Sequence, residues 1–136
     1  MSPVSENIRQ SVRERAHHRC EYCRFPEGES RFSHQVDHIR PIKHKGTHDL
    51  NNLAWACFQC NNRKGSDIAG YDPLSDTITP LFNPRDQTWD DHFSLVGYEI
   101  IGKTPIGRTT LEVLEMNSSE RLEHRAWLIT LGLWES

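Results

Sequence analysis

Apolar residues recur at every fourth position near the start of the chain, a spacing that predicts an amphipathic helix over residues 5–18. Ile8, Val12 and Ala16 form the apolar stripe, because residues four apart lie on one face of a helix. Ser5 stands before the stripe and is a residue type that favours the N-cap position. We therefore expect the chain to open with one helix.

The middle of the chain has the pattern of a small hairpin followed by a helix. Residues 32–39 alternate well enough for a strand that ends at Pro41, since proline has no N–H to donate to a strand ladder. A polar loop over residues 43–52 follows. Residues 53–56 predict the returning strand and residues 58–68 a short helix.

Beyond residue 70 the pattern predicts a connector, a hairpin and two helices. Residues 71–84 are rich in Pro, Asp and Thr and are interpreted as an ordered connector. The apolar runs 93–95 and 98–101 favour a hairpin that turns at Val96-Gly97.

Each of the two final helices is expected to begin with a capping box, in which a polar residue precedes Glu by three positions. Thr109 with Glu112 predicts a helix to residue 116, and Asn117 with Glu120 predicts one to about residue 133. The last helix supplies four candidate core residues: Leu122, Trp127, Ile129 and Leu133.

Composition indicates a small globular protein. The chain has 136 residues, of which 35% are hydrophobic and 26% charged. No apolar run approaches the ~20 residues that a membrane-spanning helix needs, and residues 1–10 lack the apolar segment of a secretory signal. We therefore expect a cytoplasmic protein with no membrane partner, whose cysteines stay reduced.

Charge is unevenly distributed along the chain. The net charge is −3, yet residues 1–65 carry 11 Lys and Arg against 7 Asp and Glu, whereas residues 66–136 carry 5 against 12. Phosphate binding depends on local cationic surface. The first half is therefore compatible with a nucleic-acid partner, although an uneven surface charge alone explains the same numbers.

Four cysteines form two C-x2-C pairs, Cys20 with Cys23 and Cys57 with Cys60, separated by 33 residues. Four thiolates match the tetrahedral preference of Zn²⁺, and two-residue gaps let both sulfurs of a pair face one ion. The pattern predicts a closed, structural zinc site that clamps the ends of the segment. Buried cysteines without metal are the alternative.

Within the clamped segment and directly after it lie residues that a structural zinc site does not require. Asp37 and Asn61 offer hard oxygen ligands suited to Mg²⁺, and His38 can accept a proton from water at cellular pH. Adjacent residues diverge on a regular strand, so we expect the strand end before Pro41 to let Asp37 face a metal ion and His38 a water molecule. This chemistry suits phosphodiester cleavage.

Residues 20–65 resemble the HNH endonuclease family. The family pattern of an Asp-His pair, an Asn before the second strand and a His or Asn on the following helix is matched by Asp37-His38, Asn52 and Asn61. The resemblance implies a treble-clef-like ββα-metal core and cleavage assisted by a single divalent ion, Mg²⁺ or another such as Mn²⁺. It also implies that His38 is the general base, that Asp37 and Asn61 hold the ion, and that Asn52 ties the loop so that His38 points correctly.

The chain departs from the common family pattern at two positions. Gly46-Thr47 stands where Gly-Gly is frequent, and Asn61 stands where many members have His. The second difference concerns the choice of metal, because an amide supplies an oxygen ligand in place of an imidazole nitrogen.

Several further residues are candidates for supporting roles. Lys64 lies three residues after Asn61 and therefore on the same helix face; it and Arg63 are possible contacts to substrate phosphates, with solvated surface as the alternative. His34 shares a strand face with His38 and is expected to pack, or to orient a neighbouring group, rather than to bind metal.

These observations predict an α+β protein. A zinc-clamped core (20–68), preceded by a helix, packs against an extension (70–136) within one domain spanning 1–136. The expected function is a metal-dependent endonuclease acting on DNA. The alternatives are a non-catalytic, zinc-stabilised nucleic-acid-binding module and, less favoured, a zinc-stabilised protein-interaction domain.

Overall fold

The structure, a computed structural model, describes residues 4–134, so the first three and last two residues of the expected domain lie outside it. Within that range the helices are α1 Glu6–Arg15, α2 Phe58–Lys64, α3 Trp89–His92, α4 Pro105–Val113 and α5 Ser119–Thr130. The strands form three antiparallel hairpins, namely β1 Gln35–His38 with β2 Leu53–Ala56, β3 Ala69–Tyr71 with β4 Ile78–Pro80, and β5 Phe93–Val96 with β6 Glu99–Gly102. The α+β class predicted from the sequence is confirmed.

Helix α1 begins as predicted, with the Ser5 hydroxyl accepting a hydrogen bond from the Ile8 amide at 3.2 Å. It ends at Arg15, three residues earlier than expected. His17 and His18 adopt φ values of 55° and 59°, a left-handed conformation that cannot continue a helix. The apolar stripe of α1 packs through Val12 on strand β2.

The central hairpin and helix are also present. Strand β1 is shorter than predicted, but β2 has the predicted bounds. Helix α2 ends at Lys64 rather than near residue 68, because Gly65 at φ 49° turns the chain away. The predicted strand–strand–helix order is confirmed.

Three predictions for the second half are wrong in detail. The expected connector contains the hairpin of β3 and β4. Helix α4 begins after Thr104, whose hydroxyl accepts from the Gly107 amide, so Thr109 is buried inside the helix rather than capping it. Helix α5 is capped by Ser118 instead of Asn117. At both helices two overlapping cap sequences compete, and the proline at the first position of α4 favours the earlier start.

The turn between β5 and β6 is displaced by one residue from the prediction. Strand β5 extends to Val96, and the turn is formed by Gly97 and Tyr98. Gly97 has φ 65°, a conformation that glycine adopts without steric cost.

The core prediction for α5 is partly wrong. Trp127 and Leu133 are 57% and 42% exposed, whereas Arg121, Arg125 and Leu128 are buried. The helix therefore turns a face with two arginines toward the rest of the molecule. Apolar periodicity could not identify that face, because arginine is normally a surface residue.

One apolar cluster joins the two halves of the chain. The four cysteines and Tyr22 pack together with residues of the C-terminal half, among them Phe82, Phe93, Ile100 and Met116. None of the helices between residues 4 and 134 combines the length and hydropathy of a membrane-spanning segment.

Candidate active site and metal centre

Four buried cysteine thiols meet where the loop after α1 approaches the start of α2. The Sγ atoms of Cys20, Cys23, Cys57 and Cys60 all lie within 4.8 Å of one another, and those of Cys23 and Cys57 are 3.7 Å apart. Sulfur atoms placed tetrahedrally at ~2.3 Å from a zinc ion are about 3.8 Å apart. The four donors therefore fit a zinc ion and leave no open position on it.

The loop and helix backbone prepare the thiols for metal. The amide of Cys23 lies 3.4 Å from Cys20 Sγ, and the amide of Cys60 lies 3.3 Å from Cys57 Sγ. Arg24 adopts φ 69°, which closes the first knuckle. Such N–H contacts stabilise the negative charge that a thiolate carries when it binds metal.

Two arginines of α5 complete the surroundings of the cluster. Arg121 Nη2 lies 3.0 Å from Cys60 Sγ and 3.8 Å from Cys57 Sγ. Arg125 is buried beside it and donates to the Met116 carbonyl at 2.6 Å. Four thiolates outweigh the charge of one Zn²⁺, and the Arg121 guanidinium compensates part of the excess. Sequence reasoning missed this contact because it joins residues 61 positions apart.

Asp37 lies on the face of β1 that meets α2. Its carboxylate is 3% exposed, with Oδ2 2.6 Å from the Tyr22 hydroxyl and Oδ1 3.3 Å from Lys64 Nζ. Burial raises the pKa of the Asp37 carboxyl, although the Lys64 ammonium and the Tyr22 hydroxyl oppose the rise. Asp37 is thus held in a buried ion pair.

His38 points to the other side of the hairpin. Strand β1 pairs regularly through both residues, Asp37 with Ala54 and His38 with Leu53. Their side chains therefore point to opposite faces of the strand, and the expected irregularity that would bring them together is not seen within β1. His38 Nε2 lies 2.8 Å from Nδ1 of His48, which belongs to the following loop. Burial lowers the pKa of His38, and neighbouring His48 and Lys64 lower it further.

Asn52 joins the two ends of the loop that carries His48. Its Oδ1 accepts from the Arg40 amide at 2.8 Å, and its Nδ2 donates to the carbonyls of Arg40 at 3.0 Å and Thr47 at 2.8 Å. Gly46 packs against the Arg40 carbonyl so closely that a Cβ would lie 1.6 Å from its oxygen. The loop conformation therefore depends on the amide of Asn52 and on glycine at position 46.

Asn61 extends from α2 toward β1, on the side of the hairpin where Asp37 lies. Its Nδ2 is 3.3 Å from Oε1 of Gln35. Gln35 precedes Asp37 by two residues in β1. Residues two apart on a strand share a face. Gln35 and Asp37 therefore lie on the same face of β1, and with Asn61 they place three oxygen-bearing side chains between β1 and α2. His38 is not among them.

The two supporting cations differ from each other. Lys64 is 2% exposed, and its Nζ contacts the carbonyls of His38 at 3.1 Å and Ile39 at 3.3 Å in addition to Asp37. Lys64 is therefore not the surface cation that its spacing suggests, because helix α2 turns it inward. Arg63 is on the surface, 2.8 Å from Glu115 Oε2.

Comparison with known proteins places this segment in a class. The family model described as HNH endonuclease matches residues 20–67, so the resemblance predicted from the Asp-His pair, Asn52, Asn61 and the cysteine pairs is confirmed for this part of the chain. The segment is similar to the HNH endonuclease family, whose members are nucleases.

A curated relative covers more of the chain. The Septu protein PtuB of Bacillus thuringiensis is 29% identical over 127 residues, which is 90% of this chain and 46% of that protein. The chain therefore spans slightly less than half the length of this relative. No solved structure matches the chain at a significant level.

Proposed function

We propose that the chain is a metal-dependent endonuclease that hydrolyses phosphodiester bonds of DNA, with His38 as the general base. The proposal rests on the hydrogen bonding of the two ring nitrogens of His38, a residue of the segment that matches the HNH endonuclease family. Its Nε2 is bonded to His48, and Nδ1 has no hydrogen-bond partner among residues 4–134. One ring nitrogen is thereby left to face a water molecule.

The proton positions follow from this geometry. A neutral imidazole carries one N–H, and the other nitrogen is basic. If His38 donates from Nε2 to His48 Nδ1, its own Nδ1 keeps the lone pair that removes a proton from water. The lowered pKa of His38 favours this neutral form at cellular pH.

The proposed ligands of a catalytic divalent ion are Asp37 and Asn61, with Mg²⁺ or Mn²⁺ as the candidates. A carboxylate and an amide oxygen have the donor chemistry that such ions prefer. The ion supplies a positive charge that stabilises the phosphate and the leaving oxygen during cleavage. The proposal requires two local changes. Asp37, whose Oδ1 lies 3.3 Å from the Lys64 ammonium, must turn an oxygen to the ion, and the His38 ring, on the other side of β1, must turn toward the same phosphate.

Asn52 has an orienting role in this proposal. Its hydrogen bonds to Arg40 and Thr47 fix both ends of the loop, and that loop carries the His48 ring against His38. Asn52 therefore acts on the base through the loop rather than on the substrate.

A second candidate is a nucleic-acid-binding module without catalysis. The buried pair of Asp37 and Lys64 supports this alternative, because the carboxylate has its hydrogen bonds satisfied without any ion. In that case Asp37 stabilises the fold and His38 has no chemical role.

Nicking of supercoiled plasmid separates the candidates. The zinc-loaded protein is assayed with Mg²⁺, with Mn²⁺ and without added divalent ion, beside His38→Ala and the control His44→Ala from the neighbouring loop. We expect cleavage that needs an added ion, a loss of at least ~100-fold in His38→Ala, and little change in His44→Ala. Equal inactivity of all three proteins, with DNA binding retained, supports the binding module instead.

A further inference from the structure

A polar cavity lies between helix α1 and the loop that leads into β1. Its volume is about 400 Å³, within the range of small-ligand sites. Three arginines line it, namely Arg9, Arg13 and Arg31, together with one carboxylate, Glu27. Arg13 is paired with Glu27 at 2.7 Å and Arg9 with Glu6 at 3.7 Å. Arg31 is therefore the lining arginine that has no ion pair among the described residues.

Aromatic rings accompany these cations. The Arg31 guanidinium lies 5.5 Å from the centroid of the Phe32 ring, and Phe32 also lines the cavity. Phe32 is 51% exposed. An exposed ring next to guanidinium groups is the combination with which proteins stack an unpaired base and hold its phosphates.

His34 adds a buried acceptor to the same cavity wall. It is 1% exposed, and its Nε2 lies 3.0 Å from the Phe25 carbonyl oxygen. That nitrogen must therefore carry the proton. Nδ1 is left as an acceptor, and it has no partner among the described residues. A buried acceptor without a partner is uncommon. The atom is closed to solvent, so His34 contributes to the cavity wall through its ring and not as an open hydrogen-bond site.

The aromatic path continues toward the candidate active site. The ring centroids of Phe32 and Phe58 are 4.6 Å apart, and Phe58 is 38% exposed. Phe58 is the first residue of α2 and Asn61 lies one turn further along the same helix. Residues three apart on a helix share a face, so the exposed rings lead from the arginine cavity to the helix that carries Asn61.

We propose that the cavity lined by Arg9, Arg31, Phe32 and His34 binds an unpaired nucleotide of the substrate strand. Phe32 stacks on the base, and the arginines contact phosphates. This inference rests on the proposed function for the identity of the substrate, and it selects single-stranded or locally unpaired nucleic acid over a regular duplex. A base within a duplex is already stacked and paired, so it does not present its face.

Fluorescence anisotropy measures this preference without requiring cleavage. A labelled 12-nucleotide single strand and the blunt duplex of the same sequence are titrated with zinc-loaded protein in the absence of Mg²⁺ and Mn²⁺. We expect the single strand to bind at least tenfold more tightly than both the duplex and a free nucleoside monophosphate. Equal affinity for strand and duplex, or for strand and mononucleotide, overturns the proposal.

Substitutions of Phe32 test whether its aromatic ring stacks on a base. Phe32→Leu keeps an apolar side chain but removes the aromatic face, and we expect a loss of about tenfold in single-strand affinity, since a base no longer has a ring on which to stack. Phe32→Tyr restores binding. The matched control is Tyr98→Leu, an exposed aromatic residue of the β5–β6 turn, which leaves the affinity unchanged. Unchanged binding by Phe32→Leu contradicts the assignment.

A second measurement needs no variant. A strand that carries 2-aminopurine reports stacking through quenching of its fluorescence, and we expect quenching on binding to the wild-type protein. If the strand binds and its fluorescence is quenched, but no divalent ion supports cleavage, the nucleotide site is supported and the catalytic proposal is contradicted. Cleavage of duplex and single strand at equal rates, without quenching, keeps the nuclease and rejects the site.

Discussion

Asp37 and His38 are adjacent in sequence, yet strand β1 directs their side chains to opposite sides of the hairpin. The Asp37 carboxylate enters a buried contact with Lys64 and Tyr22, and the His38 ring meets His48. Each of these two candidate residues therefore has its own set of neighbours. Their roles can be tested separately.

His48 is expected to orient the His38 ring. His48→Ala removes the acceptor for His38 Nε2, so the proton can move to Nδ1 and block the basic nitrogen. We expect kcat for plasmid nicking to fall ~10–100-fold, as on removal of other orienting partners, with little change in KM. His44→Ala in the same loop is the control, and equal rates for the two variants contradict an orienting role.

Asp37 and Lys64 form an ion pair, and we expect substitutions of the two residues to have different effects on the binding of a divalent ion. Either Asp37→Asn or Lys64→Met leaves one buried partner uncompensated, at a cost of about 3–5 kcal/mol in the free energy of unfolding. If Asp37 holds the divalent ion, calorimetry shows Mn²⁺ binding retained by Lys64→Met and lost by Asp37→Asn. Wild-type Mn²⁺ affinity in both variants means that Asp37 is structural only.

At the scale of elements, short hairpins and helices are held to one another by buried polar contacts as well as by apolar packing. The turn between β3 and β4 is attached to α4 by Asp72, whose two oxygens each lie 2.9 Å from the Arg108 guanidinium. Asp72 also accepts from the Leu74 amide and the Ser75 hydroxyl. The Arg108 contact, together with these hydrogen bonds, holds the pKa of Asp72 well below its usual range.

This pKa predicts a pH-dependent contribution to stability. A carboxyl whose pKa is lower in the folded state stabilises the fold above its unfolded pKa of ~3.9, and the stabilisation is lost as the pH falls toward the folded value. We expect Asp72→Asn to lower the melting temperature at pH 7, with the difference from wild type shrinking below about pH 4. Asp76→Asn, in the same turn, is the control. A difference that stays constant between pH 7 and pH 3 contradicts the linkage.

For the whole molecule, the cysteine cluster connects regions that are far apart in sequence. It shares one apolar cluster with Phe82, Phe93 and Ile100, and Arg121 attaches α5 to its sulfur atoms. The single domain expected over residues 1–136 stays a prediction, and this shared core supports it.

Removal of zinc is therefore expected to loosen both halves together. Without the ion the repelling thiolates become protonated, and the Arg121 guanidinium loses its charged partners. Hydrogen exchange measured by mass spectrometry after chelation should increase in α2 and in α5 alike. Arg121→Met should release zinc faster than wild type, whereas the exposed-residue control Arg63→Gln should not. Protection of α5 that survives zinc removal contradicts the coupling.

Much of the fold could be predicted from the sequence because its determinants are local. The Ser5 cap, the bounds of β2 and the order of the central hairpin and α2 follow from residue types at fixed spacings. Prediction failed where competing local patterns were present. Thr104 and Thr109 both precede a helical run, and only the packing of α4 shows that Thr109 is interior.

For the candidate site as well, some features could be predicted from the sequence and others could not. The sequence by itself determined the two cysteine pairs and the Asp-His, Asn52 and Asn61 pattern, because metal ligation and family motifs depend on residue type and spacing. Only the tertiary structure decided that Lys64 turns inward to Asp37, that His48 meets His38 and that Arg121 reaches the cysteine cluster. These contacts join residues whose separation in sequence carries no periodic pattern, so they follow from how the elements pack and not from any local preference of the chain.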